Sequence, residues 1–173
     1  MNTKEWVAVH RKHHALNETD QDPHSPKFHG LWRVLIMGAW LYHKETNNSQ
    51  TMEKYGYGCP NDWIERNVYK PYPSLGIFLM LALDVLVLGW SGLVVWTVQM
   101  LWIPFTAAGV INGIGHAWGY RNFEVDDRSR NILPWGILIG GEELHNNHHA
   151  YPTSAKLSYQ WYEFDLCYGY IVL

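Results

Sequence analysis

The chain has 173 residues, enough for one domain, and 13 Lys/Arg against 16 Asp/Glu give a net charge of −3. That balance leaves no electrostatic case for nucleic-acid binding. Charged residues make up only 17%, against about 25% in an ordinary soluble domain. Two cysteines, Cys59 and Cys167, are too few and too far apart for a disulfide framework or a CxxC pair. Histidine stands out, because six of the ten fall in two short clusters.

The opening residues, Met1-Asn2-Thr3-Lys4-Glu5-Trp6, hold no apolar core of the kind a signal peptide or anchor needs. Residues 1–74 carry nine Lys/Arg and eight Asp/Glu, with turn-like stretches at Asp20–Pro26 and Tyr55–Asp62. From Leu75 to Ile111 there is one charged residue, Asp84, in 37 positions. Such a run reads as membrane-embedded. As one helix it would be roughly 55 Å long, too long for a hydrocarbon layer of about 30 Å. Gly89-Trp90-Ser91-Gly92 supplies a break. The expectation is a helical hairpin, Leu75 to Leu88 and Leu93 to Ile111, with both flanks on one side. Arg66, Lys70 and Arg121 border it while the turn has no basic residue, which puts the flanks in the cytoplasm. Asp84 would cost about 2.5–3.5 kcal/mol in lipid and is expected to face other helices. Residues 112–173 form the second cytoplasmic segment. Trp90, Trp102 and Trp118 read as interface anchors.

His10-Arg11-Lys12-His13-His14 and His145-Asn146-Asn147-His148-His149 share the pattern H-x-x-H-H. On a helix, positions i, i+3 and i+4 lie on one face, so each triplet can aim three imidazoles at one point. Imidazole suits iron, copper, zinc or nickel. A zinc hydrolase is excluded by spacing, since there is no H-E-x-x-H and no cysteine joins the clusters. A soluble di-iron bundle would repeat E-x-x-H, which occurs once, from Glu142 to His145. A histidine-rich, membrane-associated di-iron site fits better.

With Asp22-Pro23-His24 after the first triplet and Gly140-Gly141-Glu142-Glu143-Leu144 before the second, the chain resembles the membrane fatty acid desaturases. The likeness is to bacterial relatives of the stearoyl, delta-9 group. Asn112-Gly113-Ile114-Gly115-His116 and Gly119-Tyr120-Arg121-Asn122 add to it. The resemblance implies an all-α membrane protein: a transmembrane helical hairpin under a cytoplasmic helical cap that carries the histidine boxes. It implies His10, His13, His14, His116, His145, His148 and His149 as ligands of two non-haem irons, with Asn112 holding an iron-bound water. Of the remaining histidines, His24 is expected to be a turn or headgroup-facing residue, and His29 and His43 to lie at the surface. Glu142, Glu143, Asp20 and Asp22 are candidate partners for imidazole N–H groups.

The implied reaction is dehydrogenation of a long acyl chain with O2 as co-substrate. Hydroxylation on the same scaffold, an inactive membrane fragment and a metal carrier stand as alternatives. The substrate would be an acyl-CoA, acyl-lipid or acyl-carrier protein. No GxGxxG or P-loop is present, so electrons are expected from a small carrier of ferredoxin, rubredoxin or haem cytochrome type. Family members carry a further histidine pair and two spans upstream of the first triplet. This chain therefore reads as the C-terminal part of a desaturase. Animal acyl-CoA members have an Arg-Asp pair before that triplet, where this chain has Ala8 and Val9.

Overall fold

The computed structural model describes residues 1–173 and opens with helix α1 (Thr3–Leu16). Asn2 Oδ1 accepts from the Glu5 backbone N–H at 3.0 Å, and Glu5 Oε2 accepts from the Asn2 N–H at 2.8 Å. This reciprocal cap satisfies two amides that a helix start leaves free. Ala8 and Val9 are fully buried on the inner face of α1. A turn follows where the DQDPHSP stretch predicts one, and Ser25 caps the short α2 (Pro26–His29). Gly30, at φ 83°, hands over to α3 (Leu31–Thr46). The sequence reading named no element here; α3 buries a stripe of Val34, Gly38, Leu41 and Tyr42 and turns Trp32, Ile36 and Trp40 outward. Helix α4 (Ser49–Tyr55), capped by Asn48, packs back on α1.

The expected helical pair is present. Helix α5 (Leu75–Leu88) has the predicted bounds, and Gly89, at φ 62°, ends it. Helix α6 (Ser91–Ile103) lies against α5, with Gly92 packed under the Asp84 carbonyl. The second arm differs from expectation. It runs on through a π-helical stretch, Pro104–Val110, into α7 (Ile111–Ile114), a helical rod from Ser91 to Ile114. Proline cannot donate the α-helical hydrogen bond and its ring crowds the preceding turn. The wide turns after Pro104 absorb that mismatch without ending the rod. Asn112 therefore belongs to the hairpin and not to the segment after it.

This rod, 24 residues, is long and apolar enough to cross a membrane, at about 36 Å. α5, with 14 residues, spans about 21 Å. None of the α5 residues is buried, and Leu86 and Val87 are 83% and 71% exposed. Asp84 is half-buried in the hairpin, its Oδ2 without a partner. Trp90, Trp102 and Trp118 are all exposed.

After His116 the chain loops through an antiparallel bridge, Tyr120 to Asn131, and then forms β1 (Trp135–Gly136). A short 3-10 turn, Glu142–Leu144, leads into α8 (His145–Ala150). The chain ends with β2 (Phe164–Asp165) and α9 (Leu166–Ile171). β1 and β2 pair in parallel, Trp135 with Phe164 and Gly136 with Asp165. This small departure from an all-helical chain ties the C-terminal tail to the segment before α8.

Helix α3 meets the second arm backbone to backbone. A Cβ on Gly38 would collide with the Ala108 carbonyl, and one on Gly109 with the Leu35 carbonyl. Gly109→Val should therefore destabilise the protein by about 1–3 kcal/mol. Gly76→Ala, in α5 where a Cβ meets nothing, should stabilise it by up to about 1 kcal/mol, because alanine loses less backbone entropy on folding. Thermal melting in detergent, followed by circular dichroism, checks both.

Candidate metal centre

Seven histidine rings from α1, the end of α7 and α8 gather between the two halves of the chain. They form two groups. His13, His116, His145 and His149 place one ring nitrogen each within 4.8 Å of one another, and so do His10, His14 and His148. In the first group His116 Nε2 stands 3.2 Å from His13 Nε2 and 3.0 Å from His145 Nε2. In the second the Nε2 separations are 3.1 Å for His10–His14, 3.2 Å for His10–His148 and 2.9 Å for His14–His148.

This division corrects the expectation that each triplet aims at a single point. With 3.6 residues per turn, i and i+4 differ by roughly 40° around the helix, whereas i+3 and i+4 diverge by roughly 100°. Each triplet therefore gives its i, i+4 pair to one group and its i+3 ring to the other. His10 and His14 pair in the second group while His13 goes to the first. His145 and His149 pair in the first while His148 goes to the second. His116 makes the first group four. Its neighbour Gly115 is required there, since a Cβ would stand 2.9 Å from His145 Cδ2.

Every ring of the first group has its own carboxylate. Asp22 lies 3.0 Å from His13 Nδ1, Glu142 3.3 Å from His145 Nδ1 and Asp127 2.8 Å from His149 Nδ1. Asn17 holds Asp127 in place, donating Nδ2–H to its Oδ2 at 3.1 Å. Glu18, at φ 60°, brings its carboxylate to 3.5 Å from His116 Nδ1. At that range the contact is electrostatic, and both Glu18 oxygens are buried without a hydrogen-bond donor. A carboxylate at Nδ1 keeps the proton there, so Nε2 presents its lone pair inward.

Inward lone pairs about 3 Å apart repel unless a cation sits among them. The second group reaches the same conclusion differently. Three nitrogens in mutual contact cannot alternate donor and acceptor around an odd ring, so at least one pair is always mismatched. Imidazole–metal bonds of about 2.0–2.1 Å place neighbouring ligand nitrogens roughly 3 Å apart. The donor set thus fits transition-metal ions of the iron, nickel, copper and zinc kind.

The asparagines between the histidines of the second triplet hold α8 in register. Asn146 Oδ1 accepts from the backbone N–H groups of Asn122 and Phe123 at 2.8 and 2.9 Å. Asn147 donates to the Leu157 carbonyl and to Glu163, at 2.8 and 2.9 Å, and accepts from Asn122 and Asn131. Glu163 also accepts from the Tyr120 hydroxyl at 2.7 Å and from the Tyr159 and Gln160 amides. The sequence reading quoted Tyr120, Asn122, Asn146 and Asn147 only as parts of motifs, and it missed Asn131 and Glu163. Glu18 and Asp127 were missed too, since nothing local marks them.

Other expectations divide. Asp22 and Glu142 face imidazole N–H groups as anticipated. Glu143 does not: its Oε1 accepts from the amides of Ile137, Leu138 and Ile139, clamping that loop. Asp20 is exposed. His29 is half-buried and His43 exposed, as surface residues. His24 lies in a turn but is fully buried, which corrects its headgroup-facing reading. Its ring packs 4.4 Å from that of His13 and 5.3 Å from that of Tyr42, and both its nitrogens lack partners. Asn112 lies one turn before His116. Its Nδ2 donates to the Ala108 carbonyl at 3.0 Å, which leaves Oδ1 without a protein donor. Trp6, unremarked in the sequence reading, stacks on His10 at 4.9 Å between centroids.

The family model described as Fatty acid desaturase matches residues 1–171, and the chain belongs to that family. It is 35% identical over 167 residues to the sn-1 stearoyl-lipid 9-desaturase of Anabaena variabilis, covering 94% of this chain and 58% of that one. It is 34% identical to the sn-2 palmitoyl-lipid 9-desaturase of a Nostoc strain, covering 97% and 59%. With the Delta-9 acyl-lipid desaturase 2 of Arabidopsis thaliana it shares 31%, covering 97% and 53%. The chain thus spans just over half the length of these relatives. No solved structure matches it.

Burial, reinforced by neighbouring imidazoles, holds His10, His13, His145 and His149 well below the usual histidine range. Burial and the adjacent His148 lower His14 to about 4. Burial pushes the Asp22 carboxyl up. At Glu163 burial also pushes upward, but hydrogen bonds led by the one from Tyr120 hold it below the usual carboxylate range. The metal-free fold therefore favours neutral imidazoles, whereas the unfolded chain protonates them near pH 6.5. Stability of the metal-free protein should be full above about pH 6.5 and fall as pH drops from there towards 4. Melting temperatures across pH 7.5 to 4.5 check this, and a flat profile would contradict it.

Proposed function

We propose that this chain supplies the histidine shell of a two-iron centre in a membrane desaturase that introduces a delta-9 double bond into the acyl chains of lipids. The observation that carries the reading is the pair of inward-facing Nε2 groups, the first with a carboxylate behind each ring. Glu18, Asp22, Asp127 and Glu142 together bring a formal charge of −4, which two divalent cations would balance. His13, His116, His145 and His149 would hold one iron, and His10, His14 and His148 the other. When bound, iron supplies the reduction of O2 coupled to removal of two hydrogens from adjacent methylenes, whose C–H bonds no side-chain base could deprotonate.

The chain's own residues orient this chemistry. Asp22, Glu142 and Asp127 keep protons on Nδ1 of His13, His145 and His149 and so keep Nε2 available. Trp6 fixes the plane of the His10 ring. Asn112 Oδ1 is an acceptor one turn before His116 and is suited to hold a water there. The acyl chain contributes two of the four electrons that O2 needs. A small carrier of ferredoxin, rubredoxin or haem cytochrome type contributes the other two.

The exposed apolar surfaces of α5 and α6 support placing the hairpin in a bilayer, with residues 1–74 and 112–173 on its cytoplasmic side. In that arrangement the second arm extends to Ile114. The acyl-lipid reading draws on the names of the relatives and on Ala8 and Val9. Both are buried where the acyl-CoA members place a charged pair.

Iron analysis and mass spectrometry of lipids from cells expressing the protein test the reading. It predicts close to two irons per chain and acyl chains lighter by two hydrogens. His145→Ala should lower product by more than the ~10–100-fold that loss of a supporting partner costs. Acyl chains that gain oxygen instead, or a protein without iron, would overturn it.

A further inference from the structure

We infer that the acidic cavity between the end of α1 and residues 124–127 is the route by which divalent metal ions reach the histidine cluster. The inference rests on the metal-binding reading above and adds the path of loading to it. The cavity, about 460 Å³, has His14 and Asn17 on one wall and the run from Glu124 to Asp127 on the other, and His149 also lines it. Three of its lining residues are carboxylates, and none is Lys or Arg. Asp127 is engaged by His149 and Asn17. Glu124 and Asp126 are exposed and enter no ion pair. A cleft walled by one sign of charge concentrates the opposite ion and raises its rate of entry.

A second observation points the same way. Two buried acceptors on the lining residues have no donor: His149 Nε2, on a residue 9% exposed, and Asn17 Oδ1. Bare acceptors beside carboxylates suit a cation. His14 and His149 belong to different histidine groups, and their ring centroids stand 4.3 Å apart, so an ion that enters here meets both groups. Arg121 and Arg128 flank the run in sequence, but neither lines the cavity. Arg121 donates instead to the Phe123 and Val125 carbonyls, at 3.3 and 2.8 Å, and so shapes the acidic wall from behind. Another cavity, about 720 Å³, also reaches His14, together with His10 and His148. Its wall sets Arg11 and Lys54 against the single carboxylate of Glu142, a balance that opposes an approaching metal ion.

Stopped-flow uptake of cobalt(II) by the metal-free full chain, in an uncharged detergent and followed by visible absorption, tests the route. Glu124→Gln combined with Asp126→Asn should slow uptake by about tenfold at low salt. The difference should shrink at about 1 M salt, where charges are screened beyond about 3 Å. Cobalt bound at saturation should match the unaltered chain, since neither carboxylate touches a histidine ring. Glu53→Gln, an exposed carboxylate on α4, and Lys54→Gln, on the wall of the other cavity, should leave the rate unchanged. Circular dichroism checks the fold, and either single variant, with a smaller slowing, decides the matter if the double variant unfolds. Loading of the acidic-wall variants at the unaltered rate, or a slowing that salt does not relieve, would overturn the route. So would an equal slowing in Glu53→Gln, faster uptake in Lys54→Gln, or a rate independent of cobalt concentration. A chain that binds no cobalt would overturn the metal-binding reading with it.

Discussion

Buried imidazole nitrogens turned towards one another are the constraint on which this structure depends. Lone pairs at such range repel, and burial removes the water that would otherwise separate them. Neutral rings reduce the cost but do not remove it. The surrounding carboxylates then fix the proton positions and add a negative field that makes a cation the natural counterpart. Helix α1, the end of the long arm and the loops before α8 are the means of holding these rings in place.

The scaffold divides that task between helix geometry and polar clamps. α1 presents its triplet from a regular helix with a reciprocal cap. α8 has only six residues and could not hold a rigid face alone, since isolated helices of that length are marginal. Asn146, Asn147 and Glu163 tie it to three separate loops. The long arm reaches the same place from the apolar side. Pro104 widens its turns, Gly109 lets α3 approach, and Gly115 lets His145 close over its end. The apolar arm and the histidine cluster therefore meet within a few residues, between Val110 and His116.

Much of this was legible in the sequence. The two triplets mark the histidines that cluster, the near absence of charge from 75 to 111 marks the helical pair, and the glycine break gives α5 its bounds. The rest depended on distance in sequence. Asp127 reaches His149 across 22 positions and Glu18 reaches His116 across almost a hundred, so no local pattern announces either. His24 looked like a loop residue because Asp-Pro-His-Ser-Pro has turn composition, and the turn is there, but it folds inward beneath His13. Glu143 resembled a partner for imidazole by adjacency, yet its neighbour Glu142 takes that role while Glu143 closes a ring of backbone amides. The division of each triplet follows from helical angles that were available from the start, though nothing in the spacing says that two foci exist.

The central claim is that the imidazoles of the first group carry their protons on Nδ1 and offer Nε2 to a metal. Nitrogen-15 NMR of the histidine rings, in the metal-free protein and after addition of zinc(II), tests it most directly. The account predicts protonated Nδ1 and bare Nε2 at His13, His145 and His149 at neutral pH, with the Nε2 resonances moving as zinc binds. Rings protonated at Nε2, or Nε2 resonances that zinc leaves in place, would contradict it.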